Sequence, residues 1–258
     1  MSDWIYGFFM AWGMFLAIPC PKKIWSESAR RRMLACLPLV GLIAGGVWAL
    51  CAWLGGFLPR PIGALLCAAA PWLVTGFLHL DGFMDVCDAV MSRRDMETRQ
   101  RILKDSHCGA FAVICMVLLA LGQWSVFLSA EGIALWPLAL VPVASRACAA
   151  LAVLTLRPMT TSQYSAMERG GAPVVFASLV LAAACITAAL VWGSFAPAVT
   201  TAVYALAVWY GVRQLGGMSG DVSGFALTLA ELGGAAALVC WRSRYGLDHR
   251  RRVSGPAG

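Results

Sequence analysis

Charge is what this sequence has least of. Lys, Arg, Asp and Glu make up 13% of its 258 residues, against about 25% in an ordinary soluble domain. Histidine is scarce too: the three at 79, 107 and 249 form no H-x-x-x-H pair. The ten cysteines contain no C-x-x-C pair, so neither a zinc motif nor a dithiol motif is written here. They read as small apolar packing residues. No stretch repeats, and no polar linker marks a second domain, so residues 1–258 read as one unit. The alternation of a membrane β-barrel is also missing. The first twenty residues have no basic start and no small-x-small cleavage site, so they read as a retained segment, not a signal peptide.

What is present is apolar and continuous. Hydrophobic residues account for 60% of the chain, and the mean hydropathy is +0.74. A helix crossing a bilayer needs about 20 apolar residues, and it satisfies its own backbone polar groups. Candidate spans fall at 4–20, 33–58, 62–80, 109–130, 133–156, 174–192, 195–212 and 224–241. The first is short and ends at Pro19 and Pro21, which suits a segment partly in the membrane interface. The fold class expected is all-α: a polytopic integral membrane helical bundle with about six to eight transmembrane helices.

The few bases orient the bundle. They cluster at Lys22, Lys23 and Arg30 to Arg32, at Arg93 to Lys104, and in a basic tail, 242–258. The loops after the fourth and sixth spans contain none. The positive-inside rule then places 21–32, 81–108, 157–173 and 213–223 in the cytoplasm. Eight true crossings would leave the basic tail outside, so one span is expected to be re-entrant or interfacial. The net charge of +7 is accounted for by topology, with anionic lipid contact besides. Nucleic acid is not an expected partner, because the bases flank hydrophobic helices instead of forming a groove.

One stretch breaks the pattern. FLHLDGFMDVCDAVMSRRDMETRQRILKDSHCGAF, residues 77–111, holds six acids and five bases between Asp81 and Asp105. Asp81, Asp85 and Asp88, spaced by four and three, fall within roughly 60° of one another on a helix. Carboxylates so close repel unless a cation sits among them, and a hard ion such as Mg²⁺ suits all-oxygen ligands and shares phosphate oxygens with a substrate. The plainer alternative is a solvated face paired with Arg93, Arg94 and Arg99. Its position at the end of a span favours the metal. Further polar residues stand at other span ends: Lys104, Asp105 and Ser106, then Asp221 within GGMSGDVSG at 216–224. Arg146 and Glu231 lie inside spans, where a charge is costly and finds a partner. An ion pair between them is a structural alternative to a substrate role for Arg146.

These segments together resemble the cobalamin synthase family. The first family motif is matched by His79, Leu80, Asp81, Gly82, Asp85 and Asp88. Lys104, Asp105, Ser106 and Gly109 match the second. Gly216, Gly217, Gly220 and Asp221 match the third, with Ser219 in place of Thr. Arg146 is similar to an arginine midway along the family's chain. The likeness extends from near the N-terminus to about residue 231. Ala89, Ala17 and the pair His107–Cys108 depart from the family pattern.

The resemblance implies transfer of a substituted phosphate, an Mg²⁺-dependent reaction of EC 2.7.8 type. Adenosylcobinamide-GDP would join α-ribazole, or its 5′-phosphate, and release GMP. It further implies Asp81, Asp85, Asp88 and Asp221 as metal ligands, with Mn²⁺ the alternative ion. Asp105 would be a ligand or the general base, and Asp85 is the alternative base. Lys104 and Arg146 would meet the diphosphate, and His79, Ser106, Gly217 and Ser219 would line the substrate site. Residues 81–108 would then be a cytoplasmic catalytic loop at the bacterial inner membrane. Enzymes that supply the two substrates are expected neighbours. Two other readings stand beside this one. The D-x-x-D-G-x-x-A-R pattern of CDP-alcohol phosphotransferases is absent. An ion-coupled transporter would place its acids nearer mid-bilayer.

Overall fold

The computed structural model describes residues 2–160, 162 and 170–253, with side chains described up to residue 240. Eleven α-helices make up the described part. They are α1 (Ser2–Phe15), α2 (Arg30–Ala35), α3 (Leu37–Gly55), α4 (Arg60–Val74), α5 (Leu78–Met91), α6 (Met96–Ile102), α7 (Ala110–Leu128), α8 (Leu135–Thr155), α9 (Ala172–Trp192), α10 (Ala196–Leu215) and α11 (Gly220–Val253). Among the described residues the only β pairing is an isolated bridge from Pro158 to Met218. The chain is a polytopic membrane bundle. Five helices are long and apolar enough to cross a bilayer: α3, α7, α8, α9 and Gly220–Cys240 of α11.

Three expected spans come out differently. Residues 62–80 do not form one straight span: α4 and α5 meet at a bend of 91° and together make at most one broken crossing. The break sits where Gly76 and Phe77 both take left-handed backbone, at φ 58° and 63°, a conformation cheap for Gly and strained for Phe. The stretch 4–20 yields only the 14 residues of α1, about 21 Å of helix, too short for a hydrocarbon core of about 30 Å. The third is α10, which has 20 residues but is not apolar enough to count with the five. Thr200, Thr201, Tyr204, Arg213 and Gln214 dilute it.

Helix α8 is the centre of the bundle, 83% buried along its apolar window, and α11 follows at 72%. Helices α7 and α9, at 22% and 17%, present Leu118, Leu179 and Leu190 outward, as lipid-facing helices should. Tight packing against α8 relies on small residues: a Cβ at Gly41 of α3 would stand 2.5 Å from the Pro142 carbonyl.

The loops sort to two ends. At one, the Gln100 amide donates to the Leu215 carbonyl at 2.8 Å, and Arg99 bonds Gln214. The Met159 N–H donates to the Met218 carbonyl and the Met218 N–H to that of Arg157, both at 2.9 Å, and Arg31 reaches the Gly170 carbonyl at 2.7 Å. All four loops expected on one side of the membrane are tied together there. At the other end Arg60 donates to the Leu128 carbonyl at 2.7 Å and Trp124 to that of Pro61 at 3.1 Å. Helix α11 starts at the first end and runs away from it, so the chain leaves the bundle opposite the charged loops. The side chains of the basic tail, 242–258, lie outside the described residues.

Candidate functional site

The charged segment is not a loop in its first part. Asp81, Asp85 and Asp88 ride on α5, which packs against α11. Gly82 makes that packing possible, since a Cβ there would lie 2.9 Å from the Asp221 Cα. Gly224 repays the approach: its Cβ would lie 3.0 Å from the His79 carbonyl. Phe83 and Phe225 stack at 5.8 Å beside the crossing. Residues separated by some 140 positions are thereby brought side by side, and Asp85 lies within electrostatic reach of Asp81, Asp221 and Asp88.

Two cavities open on this crossing, and Asp81 lines both. The first, about 240 Å³, runs between α5 and the loop before α7, lined by Asp85, Asp88, Asp105, Ser106, His107 and Gly109. The Asp88 carboxylate occupies the space a Cβ would take at Gly109. This explains the glycine in chemical terms: any side chain there would collide with the acid. Asp105 is exposed, and its carboxylate accepts from the His107 backbone N–H at 3.1 Å and meets His107 Nδ1 at 2.6 Å. The bonds from His107 hold the Asp105 carboxyl below the usual carboxylate range. Reciprocally, the same carboxylate raises the His107 imidazole. In the sequence His107 departs from the family pattern, and its spacing of two from Asp105 is the one signal of this contact.

The second cavity, about 140 Å³, lies deeper between α5, α8 and α11, lined by His79, Asp81, Arg146, Gly220, Asp221 and Ser223 with apolar neighbours. His79 stacks on Phe15 at 6.2 Å, and its Nε2 is buried with no hydrogen-bond partner. Arg146, only 1% exposed, pairs through Nη1 with Glu231 Oε1 at 2.5 Å. Ser145 Oγ donates to the same carboxylate oxygen at 3.0 Å. The ion pair considered from the sequence is therefore present. Arg146 Nε and Nη2 remain buried without a partner, so pairing and ligand contact are not exclusive.

Three expected substrate contacts fall elsewhere. Lys104 is exposed and lines neither cavity. Gly217 is packed against the Pro158–Met159 backbone, where its Cβ would stand 2.6 Å from the Met159 nitrogen. It serves the bridge between loops. Ser219 is buried, accepts from the Val222 N–H at 3.2 Å and donates to Asp221 Oδ2 at 3.4 Å. It stands just before α11 and bonds Asp221, and it lines neither of the two cavities.

Among the described residues, no three His, Cys, Asp or Glu side chains converge to hold a metal ion. The expected α5 triad lines the outer cavity together, Asp81 reaching the inner one as well, without closing round one point. The donor set still suits a hard cation. None of Asp81, Asp85, Asp88 and Asp221 has a Lys or Arg in salt-bridge contact among the described residues. Mg²⁺ characteristically takes one or two protein carboxylates and completes its shell with phosphate oxygens and water. Among the described residues no cysteine is in a disulfide.

Comparison with known proteins shows a family. A model of the family described as cobalamin-5-phosphate synthase matches residues 7–239. The adenosylcobinamide-GDP ribazoletransferase of Clostridium botulinum (strain Alaska E43 / Type E3) is 36% identical over 244 residues, covering 91% of this chain and 97% of its own. The protein of that name from Clostridium perfringens (strain 13 / Type A) is 34% identical over 239 residues, covering 89% and 95%. That of Halalkalibacterium halodurans is 34% identical over 260 residues, covering 90% and 94%. No solved structure matches the chain.

Proposed function

The chain belongs to the cobalamin-5-phosphate synthase family, and from that premise we propose that it is an adenosylcobinamide-GDP ribazoletransferase of the cobalamin pathway. The observation that carries the reading is the crossing of α5 and α11, which sets Asp221 beside Asp81, where two cavities meet that are also lined by Asp85, Asp88, Asp105 and Ser106.

The reaction joins a ribose hydroxyl of α-ribazole, or of its 5′-phosphate, to the phosphorus that bears the cobinamide arm. The new P–O bond forms as the bond to the GMP oxygen breaks, and the hydroxyl proton passes to a carboxylate. Asp105 and Asp85 both line the outer cavity and are the two candidates for that base. In the inner cavity Arg146 offers N–H groups to the diphosphate. Asp81, Asp85, Asp88 and Asp221 would hold Mg²⁺, or Mn²⁺, in ones and twos. When bound, the ion neutralises charge on the diphosphate oxygens as the nucleotide departs. Such transfer depends chiefly on positioning and charge, which this arrangement supplies without a covalent intermediate.

The site-bearing end carries the basic loops, so it faces the cytoplasm of the bacterial inner membrane, where a GDP-linked substrate would be met. Enzymes that make the two substrates would be its neighbours. Purified protein in detergent, given adenosylcobinamide-GDP and α-ribazole, should form product with Mg²⁺ and lose that activity on chelation. Undiminished product with a chelator present would remove the metal from the account.

A further inference from the structure

We infer that Glu231 is a positioning residue for the diphosphate: it fixes one nitrogen of Arg146 so that the rest of the guanidinium is kept for an anionic oxygen in the inner cavity. The inference rests on the reaction proposed above and goes beyond it, since none of the three motifs includes Glu231.

Arginine presents five N–H donors in a rigid planar fork. Here Nη1 is fully committed, to Glu231 Oε1 at 2.5 Å and more distantly to the Pro142 carbonyl at 3.3 Å and Ser145 Oγ at 3.4 Å. Glu231 is held in turn by Ser145 Oγ at 3.0 Å, and it is 3% exposed. A plane pinned at one nitrogen by a buried carboxylate has little freedom to swing. Nε and Nη2 are left buried and without a partner. Leaving buried donors unmade is expensive, more so on a charged group, and a purely structural ion pair would be expected to use them. The residue lines the cavity that also holds His79, whose Nε2 is likewise buried and unpartnered. Unpartnered nitrogens on two helices therefore border one space, beside Asp81 and Asp221. Two of these donors on one arginine match the two-point geometry with which guanidinium takes phosphate.

A structural role and a positioning role separate in a double variant. Replacing a buried ion pair by apolar residues of similar volume is often neutral for stability. If the pair only holds α8 to α11, Arg146→Met/Glu231→Met should recover both thermal midpoint and GMP release. The positioning role predicts a recovered midpoint with kcat/KM for GMP release still lower by about 10² or more, the scale of losing one key electrostatic donor. Glu231→Gln keeps shape but strands the buried Arg146 charge, so its midpoint should fall; assayed below that midpoint, it should lose about tenfold or more of GMP release. It carries the test if the double variant fails to fold. Binding of inorganic pyrophosphate, measured by titration of the same detergent-solubilised proteins, should weaken at least tenfold in Glu231→Gln and in the double variant. Wild-type GMP release or unaltered pyrophosphate binding in Glu231→Gln overturns the inference. Should the unaltered protein itself fail to release GMP from adenosylcobinamide-GDP, the proposed reaction falls, and the pyrophosphate comparison alone then decides the role of Glu231.

Discussion

The turn at Asp105 and His107 shows a charge relation confined to neighbouring side chains. The imidazole is raised above its ordinary value of about 6.5 and the carboxyl lowered below about 3.9. The His107 contribution is present below the ordinary histidine value and fades as pH climbs through the raised one. That of Asp105 is present above the ordinary aspartate value and fades as pH falls through the lowered one. The pair is therefore fully formed between about pH 4 and 6.5. Proton NMR of the His107 ring should give a midpoint above that of a free histidine, and Asp105→Asn should bring it back. A midpoint indifferent to Asp105→Asn would deny the contact. Gly109 gives a second prediction. In Gly109→Ala the atoms nearest the new methyl are those of the movable carboxylate of Asp88. The thermal midpoint should then shift by the equivalent of about 0.5 kcal/mol or less, while turnover falls by about 10². Normal turnover in a folded Gly109→Ala protein would place Asp88 outside the chemistry.

Among the elements, the crossing of α5 and α11 has the tightest tolerance. At Gly82 the obstacle is the backbone of Asp221, 2.9 Å from the missing Cβ, so Gly82→Ala must push two helices apart. Overpacking of this kind costs about 1–3 kcal/mol, seen as a lower unfolding midpoint in detergent, and activity should go with it. Gly46 of α3 has open space around its missing Cβ. Gly46→Ala should be neutral or stabilise by up to about 1 kcal/mol, as alanine is the better helix former. Equal effects at the two glycines would contradict the crossing. This is also where sequence reading reached its limit. The helical spacing of Asp81, Asp85 and Asp88 was legible, because a period of 3.6 is written in local order. The bend at Gly76–Phe77 was hidden, since apolar residues continue on both sides of it and hydropathy cannot see a turn. Gly217 and Ser219 belong to a recognisable motif, yet whether such residues face a ligand or a neighbouring loop depends on packing that no local pattern encodes. The Arg146–Glu231 pair was visible as two costly charges inside spans, whereas the two nitrogens left over required coordinates.

For the whole molecule, the four tied loops at one end and the sparse far end predict a sided protein. A reporter fused after Arg99 should read cytoplasmic and one after Glu131 external; the reverse pair would put the site away from its nucleotide substrate. The carboxylates at the crossing serve displacement of GMP by the ribazole hydroxyl, and GMP release from adenosylcobinamide-GDP by purified protein in detergent measures this most directly. Release should require both α-ribazole and Mg²⁺. It should fall by about 10² or more when Asp81, Asp85, Asp88 or Asp221 is changed to Asn. Glu97→Gln, an exposed acid on α6 outside both cavities, should leave it largely intact with all proteins equally folded. Similar mild losses at all five positions, or GMP release indifferent to α-ribazole, would contradict the account.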